Sequence, residues 1–361
     1  VFKNKFVQAV LLQYSGIVGA GIFALPYLFA SANFAYALLV LITVTLALYF
    51  IHQSYADIIL ATAGDHQLPG YCHKYLGIRA KYLAVFNLLL LTLGTFVVYQ
   101  QLFIRFSHLF FPHFASWLVF LLYYFSLAIF FLSRSRLVQN FSRYLPFLVL
   151  ILPLFLFYLT LIYPSFPIPP VSPSLTLFGA LVFALHGFTI IPEVEEILRG
   201  SHHRPLTGLA SLLGLILAAF TYAIFSYAVI RLSGPFLSPD AVSGLWQVSP
   251  LLGSLLALLG LLTTFKASLN SLLVLKETFY RDLHFPLRLS FLLPLALPIL
   301  SLTLGRFSFV QIISLTGAVT LFVSGLLLVS IRFHLPLRLS QRLILIVVVC
   351  LLAFGLVSEL S

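Results

Sequence analysis

Three groups of residues in this 361-residue chain have types and spacings suited to chemistry. The first runs Tyr14-Ser15-Gly16-Ile17-Val18-Gly19-Ala20-Gly21-Ile22-Phe23-Ala24-Leu25-Pro26, with three glycines and a proline inside eleven residues. The second, Phe183-Ala184-Leu185-His186-Gly187-Phe188-Thr189-Ile190-Ile191-Pro192-Glu193, repeats one spacing: a glycine five positions ahead of a proline, as in Gly21 to Pro26. Glycine and proline disfavour regular helix, so both stretches should expose backbone amides and carbonyls. Amides at the start of a half-helix attract a carboxylate, and carbonyls at the end of another attract an ammonium. Together they suit a zwitterion without any charged side chain. The third group is Lys266 with Thr263 and Asn270, which share one helical face at spacings of three and four. A lysine deep in an apolar run costs about 3 kcal/mol to insert in a membrane and is a functional candidate for that reason.

The elements that must position these groups follow from composition. Hydrophobic residues make up 61% of the chain and charged ones 8%, and mean hydropathy is +1.10. A water-soluble domain carries far more polar surface. Apolar runs long enough to cross a bilayer as helices of roughly 20 residues lie at about 6–30, 34–60, 82–106, 114–132, 141–163, 175–198, 207–231, 251–279, 289–304, 308–331 and 341–358. The reading is therefore an all-α polytopic membrane protein of about eleven spans, 1–361 forming one transporter domain. The first run reads as a true span near the start of the chain, not as a cleaved signal. The run 289–304 is the weakest, since Pro294 and Pro298 interrupt it.

Sixteen of the twenty basic residues, from Lys3 and Lys5 through Arg134, Arg136 and Arg143 to Arg342, fall on one side of this count. Arg105, Arg231 and Arg306 fall on the other, and Lys266 lies within a span. That asymmetry places the amino terminus in the cytoplasm and the carboxyl terminus outside, in a cell or inner membrane. The same dispersion over short loops speaks against nucleic acid despite a net charge of +11. Cys72, at a loop edge, and Cys350 support neither a disulfide framework nor a thiolate metal site. Motifs for phosphate loops, nucleophile elbows and zinc proteases are lacking, so no enzyme, cofactor or metal is expected.

The two interrupted runs are the first and the sixth. Matched breaks in corresponding halves point to the binding site of an inverted-repeat transporter. Against this stands the reading of each break as a packing device for closely approaching helices. His186 is either a pocket residue or a hydrogen-bonded packing histidine. The carboxylates Glu193, Glu195 and Glu196 read as a solvated inside face, with Glu193 a candidate for a gating ion pair. Asp57 is expected to pair with a basic residue of an inside loop.

Gly19 through Pro26, with His186-Gly187-Phe188 and Pro192-Glu193-Val194, resembles the amino acid/polyamine/organocation superfamily, in its amino acid/auxin permease branch. The inside loop Leu68-Pro69-Gly70-Tyr71 to Leu76-Gly77, and Leu262-Thr263-Thr264-Phe265 to Lys276-Glu277, are similar to it as well. The resemblance implies a LeuT-type fold: repeat one over about 6–163, repeat two over about 175–331 and an extra helix over about 341–358, with spans 1 and 6 broken. It implies that Gly19 and the amides of Ala20, Gly21 and Ile22 hold a substrate carboxylate, and that carbonyls of Ile17, Phe183 and Ala184 hold the ammonium. His186, Gly187 and Phe188 would border the side-chain pocket, with Thr95 or Tyr99 across from them. Ser15, Val18, Thr263 and Thr264 would surround a coupling cation, where Lys266 departs from the branch's apolar residue.

The expected function is secondary active transport of neutral L-amino acids by alternating access, symport with a proton or with sodium as the coupling ion. Lys266 either takes the cation's place, which makes transport sodium-independent and proton-coupled, or forms a salt bridge or reaches a water-filled vestibule without coupling. The alternative is a non-transporting amino acid sensor with the same cavity. An ion channel would need a filter loop or rings of charge, which the sequence lacks.

Overall fold

The computed structural model describes residues 4–133, 136–163, 166–167, 177–304 and 308–360, with backbone alone for 136–144, 304 and 360. Lys3, Arg134, Arg306 and most of the proline-rich connection from Tyr163 to Pro173 lie outside the described residues, as do the side chains of Arg136 and Arg143.

Every expected run carries a helix. Span 1 is a bent pair, Lys5–Ile17 and Ala20–Ser31, at 51°. Spans 2 to 5 are Phe34–Ala61, Ile78–Phe110, Ser116–Ser133 and Arg136–Ile162. Span 6 is Leu177–Ala184 followed, after an interruption, by Phe188–Ile190 and Ile191–Leu198. Spans 7, 8, 10 and 11 are Thr207–Ser233, Pro250–Glu277, Phe309–Arg332 and Leu339–Leu360. Among the described residues nine helices are long and apolar enough to cross a membrane, ten with the bent pair. The remaining apolar helix, Leu287–Thr303, is short and stands where span 9 was expected; Leu293–Leu295 around Pro294 winds as a tight turn that divides it. The chain is an integral, multi-pass membrane protein.

Local chemistry sets the ends of these helices. Asn33 caps span 2, its side chain accepting from the Ala35 amide at 3.0 Å, and the Ser308 hydroxyl accepts from the Gln311 amide at 3.3 Å to start span 10. The stretch Leu68–Leu76, expected as an inside loop, is a nine-residue helix with a proline in its first turn. It stops at Gly77, whose φ of +88° suits a residue without a side chain. Cys72 is buried in this helix, not at a loop edge. Spans 2, 4 and 11 turn leucine, isoleucine and phenylalanine side chains outward, among them Leu39, Ile129 and Phe354, each more than half exposed, as lipid contact requires.

The basic end of the bundle is tied together by ion pairs. Glu195 is fully buried and accepts from Arg199 and Arg204, each at 2.6 Å. Arg199 also reaches Asp65 at 2.7 Å and holds that carboxyl below its ordinary range by donating to it. Arg281 joins Glu196 at 2.8 Å and Glu277 at 2.7 Å, while Arg332 at the end of span 10 pairs with Asp57 at 3.0 Å. Glu193 is half-buried: one carboxylate oxygen accepts from the Gln67 side chain at 3.1 Å, and the other is enclosed without a partner among the described residues. The solvated face expected for Glu193 and Glu195 is therefore corrected: tertiary folding brings cationic and amide partners over them. Replacing Arg199 and Arg204 together by glutamine should lower stability by about 1–3 kcal/mol, because Glu195 is left buried without a cation. The value sits below that of a dry pair since both arginines remain nearly half exposed; thermal midpoints in detergent check it, with Glu195→Gln expected to cost less.

Candidate functional site

Both breaks occur where glycine and proline placed them. Helix Lys5–Ile17 ends at Val18, and Gly19 is extended, with φ −124° and ψ −151°. The chain resumes as a tight turn over Ala20–Ala24 before Leu25–Ser31. In span 6 the helix ends at Ala184, Gly187 takes φ −137° and ψ 7°, and Phe188–Ile190 winds tightly before Pro192 starts the second half. The first amides of each resumed helix have no partner within it.

The two breaks face one another. A Cβ added at Gly21 would stand 2.9 Å from the Cα of Ala184, and one added at Gly187 would run into the Ile17 side chain. The Gln13 side chain of span 1 donates to the Gly187 carbonyl at 2.9 Å. Between the breaks lies a cavity of about 70 Å³, room for a few waters. Span 1 lines it with Gly16, Ile17, Gly19 and Gly21, and span 6 with Phe183, Ala184, His186, Thr189 and Ile190. Span 3 adds Leu88, Leu91, Thr92, Thr95 and Tyr99, and span 8 adds Ala267, Asn270, Ser271 and Val274.

Of the residues assigned to substrate from sequence, Ile17, Gly19, Gly21, Phe183, Ala184, His186, Thr95 and Tyr99 line this cavity, whereas Ala20, Ile22, Gly187 and Phe188 do not. The Tyr99 hydroxyl stands against the break, 2.8 Å from where a Cβ on Gly19 would lie, and Phe188 lines a second, adjoining cavity. Two carbonyls assigned to an ammonium already have a partner. Tyr222 of span 7 donates its hydroxyl toward Ala184 O at 2.8 Å and Ile17 O at 3.2 Å. Nothing in the sequence around Tyr222 marks it, because its partners lie 205 and 38 positions away. Both ring nitrogens of His186 are buried without a hydrogen-bond partner among the described residues.

At the cation position the geometry is specific. Lys266 is 4% exposed and its ammonium donates to the Ser15 carbonyl, one turn before the break, at 2.8 Å. The Thr263 hydroxyl turns back to Leu259 O and Gly260 O, and that of Thr264 to Gly260 O and Leu261 O. Ser15 uses its own hydroxyl on Leu12 O at 3.1 Å. Val18 is buried beside them and donates its amide to Tyr14 O at 2.9 Å.

The cavity is shut at the end away from the charged network. Phe23, in the turn after the span 1 break, packs edge-on against Phe106 and Phe225 with centroids 5.1 and 6.1 Å away. Beyond them Arg105 pairs with buried Asp240 at 3.0 Å.

Residues 2–166 match the tryptophan/tyrosine permease family. A search of curated proteins gave no significant match. Among solved structures, a variant of the Eremococcus coleocola manganese transporter superposes with a TM-score of 0.70 at 15% identity, covering 97% of this chain and 86% of that one. Mhp1 in its inward-facing conformation gives 0.64 at 12%, covering 98% and 90%. MhsT in complex with L-phenylalanine gives 0.62 at 13%, covering 100% and 98%. At these identities the likeness shows the fold, which is the LeuT-type arrangement. The family and the manganese and Mhp1 neighbours are transporters, not enzymes.

Proposed function

We propose that this chain is a secondary transporter of neutral L-amino acids, aromatic ones foremost, working by alternating access. The observation that carries the reading is the pair of interrupted spans facing each other across one cavity. In the resumed half of span 1, the amide of Gly21, which lines the cavity, takes the carboxylate. Carbonyls closing the first half of span 6, at Phe183 and at Ala184 once Tyr222 gives way, take the ammonium. The lining carries hydroxyls, an imidazole and an amide but no carboxylate, a donor set suited to a neutral zwitterion and poor for a hard divalent cation. The family match over the first five spans, and the neighbour that binds L-phenylalanine, support an aromatic side chain.

Lys266 supplies its own cation to the Ser15 carbonyl, so transport is sodium-independent and coupled to the proton that this lysine exchanges during the cycle. Phe23 and its ring partners form one gate, and the Gln67–Glu193 contact with its surrounding ion pairs forms the other. The excess of basic residues expected on the inside supports a cytoplasmic position for that second gate. A thermal-shift screen of the purified protein against the twenty amino acids, followed by counterflow in proteoliposomes with each stabilising compound, tests the proposal. Stabilisation together with exchange is expected for L-tryptophan, L-tyrosine and L-phenylalanine. Stabilisation without exchange would identify a sensor instead.

A further inference from the structure

We infer that span 11 is a positioning element for the central site: Glu359, by accepting from the first turn of the broken span 6, fixes the height at which the Phe183 and Ala184 carbonyls meet the substrate's ammonium. The inference deepens the amino acid reading above and rests on it. The first half of span 6, Leu177–Ala184, is only eight residues long. A helix that short is not stable by itself, so its placement comes from what surrounds it. Its far end lines the central cavity with Phe183 and Ala184, and any slide along its axis carries their carbonyls with it. A slide of about 1 Å is enough to take a hydrogen bond out of range.

Spans 10 and 11 both hold this half-helix, by contacts of different kinds. Against span 10 backbone meets backbone: a Cβ on Gly179 would run into Ser314 O, and one on Gly317 into Gly179 O. A seam of small residues sets how closely two helices approach. It offers few side chains to stop one helix sliding along the other. Span 11 supplies the stop. The Gly179 amide belongs to the first turn, where a helix has no acceptor of its own, and it donates to Glu359 Oε1 at 2.7 Å. A carboxylate is also the group favoured at that end of a helix. One turn earlier on the same face of span 11, Gly355 makes room for the Phe178 ring, which a Cβ there would strike. Two adjacent residues of span 6 are thereby seated on one face of span 11, although that span turns Phe354 and Val357 outward. Phe183 follows Gly179 by four positions, so the bond at Glu359 is passed to the carbonyl end through little more than one turn.

The test is counterflow of L-phenylalanine into proteoliposomes of the full chain, as wild type, Glu359→Ala, Glu359→Gln and Glu359→Asp. Loss of the bond in Glu359→Ala should raise half-saturation about tenfold, the worth of a hydrogen bond to a charged group. The maximal exchange rate should stay within about twofold, because binding and not turnover is affected. Glutamine keeps an oxygen acceptor at the same reach and should restore wild-type half-saturation. Aspartate, one methylene short, should fold and still raise half-saturation, which keeps the test open if the alanine variant does not fold. Wild-type half-saturation in Glu359→Ala or Glu359→Asp, or a Glu359→Gln protein as impaired as Glu359→Ala, would overturn the role of span 11 and leave the transport reading intact. Absence of exchange or stabilisation by any amino acid in the wild type would overturn that reading, and this inference with it.

Discussion

Lys266→Met and Lys266→Ala proteins are expected to lose the proton dependence of uptake, with transport under a proton gradient falling at least tenfold. The ammonium of Lys266 sits on the Ser15 carbonyl next to the first break, so its charge state is felt where span 1 must rearrange. Methionine keeps most of the volume while removing the charge, and a buried cation held by one carbonyl is replaced by an apolar group at little cost or with a gain. The Met variant should therefore match or exceed the wild-type thermal midpoint, which separates loss of coupling from misfolding. Alanine vacates the space before Ser15 O and should admit a response to sodium that the wild type lacks. Uptake into liposomes with proton and sodium gradients imposed separately reads both effects; proton dependence equal to wild type would discard the role given to this lysine.

The second large effect is expected at Gly21. A methyl there meets the Cα of Ala184 at 2.9 Å, and backbone cannot move aside as a flexible side chain can. Gly21→Ala should push the two breaks apart and reduce counterflow about tenfold, and Gly21→Leu should abolish it, by more than a hundredfold. Overpacking of this kind costs about 1–3 kcal/mol, so the alanine variant should remain folded. Its loss should appear as weakened stabilisation by the amino acid in a thermal-shift titration. Wild-type stabilisation by the same amino acid would mean that the breaks do not form the site.

Much of this architecture was legible from residue types. Ten of the eleven apolar runs coincide with spans among the described residues, the first as a bent pair, because a bilayer demands a length and a composition that no loop satisfies; the run 289–304 is a shorter helix. The breaks were legible because glycine and proline act locally, through the backbone of their own segment. Tyr222 is not legible, since a phenol in span 7 looks like any buried aromatic until folding sets it beside Ile17 O and Ala184 O. The enclosure of Glu195 was hidden in the same way: Arg204 lies nine positions along the chain, and only the turn between spans 6 and 7 returns it to the carboxylate. The helix Leu68–Leu76 is not legible because nine residues of mixed polarity give no clear period. Thr263 and Thr264 illustrate the opposite limit. Their type suits cation binding, yet a hydroxyl inside a helix can satisfy itself on the preceding turn, and here both do.

The central claim is that backbone groups freed at the two breaks cradle a zwitterion, and an experimental density map with a stabilising amino acid bound tests it most directly. The account predicts the carboxylate against the Gly21 amide and the ammonium against the carbonyls that end Leu177–Ala184, with the Tyr222 hydroxyl displaced. Helices running unbroken through residues 17–21 and 184–188, or an amino acid bound away from them, would contradict it.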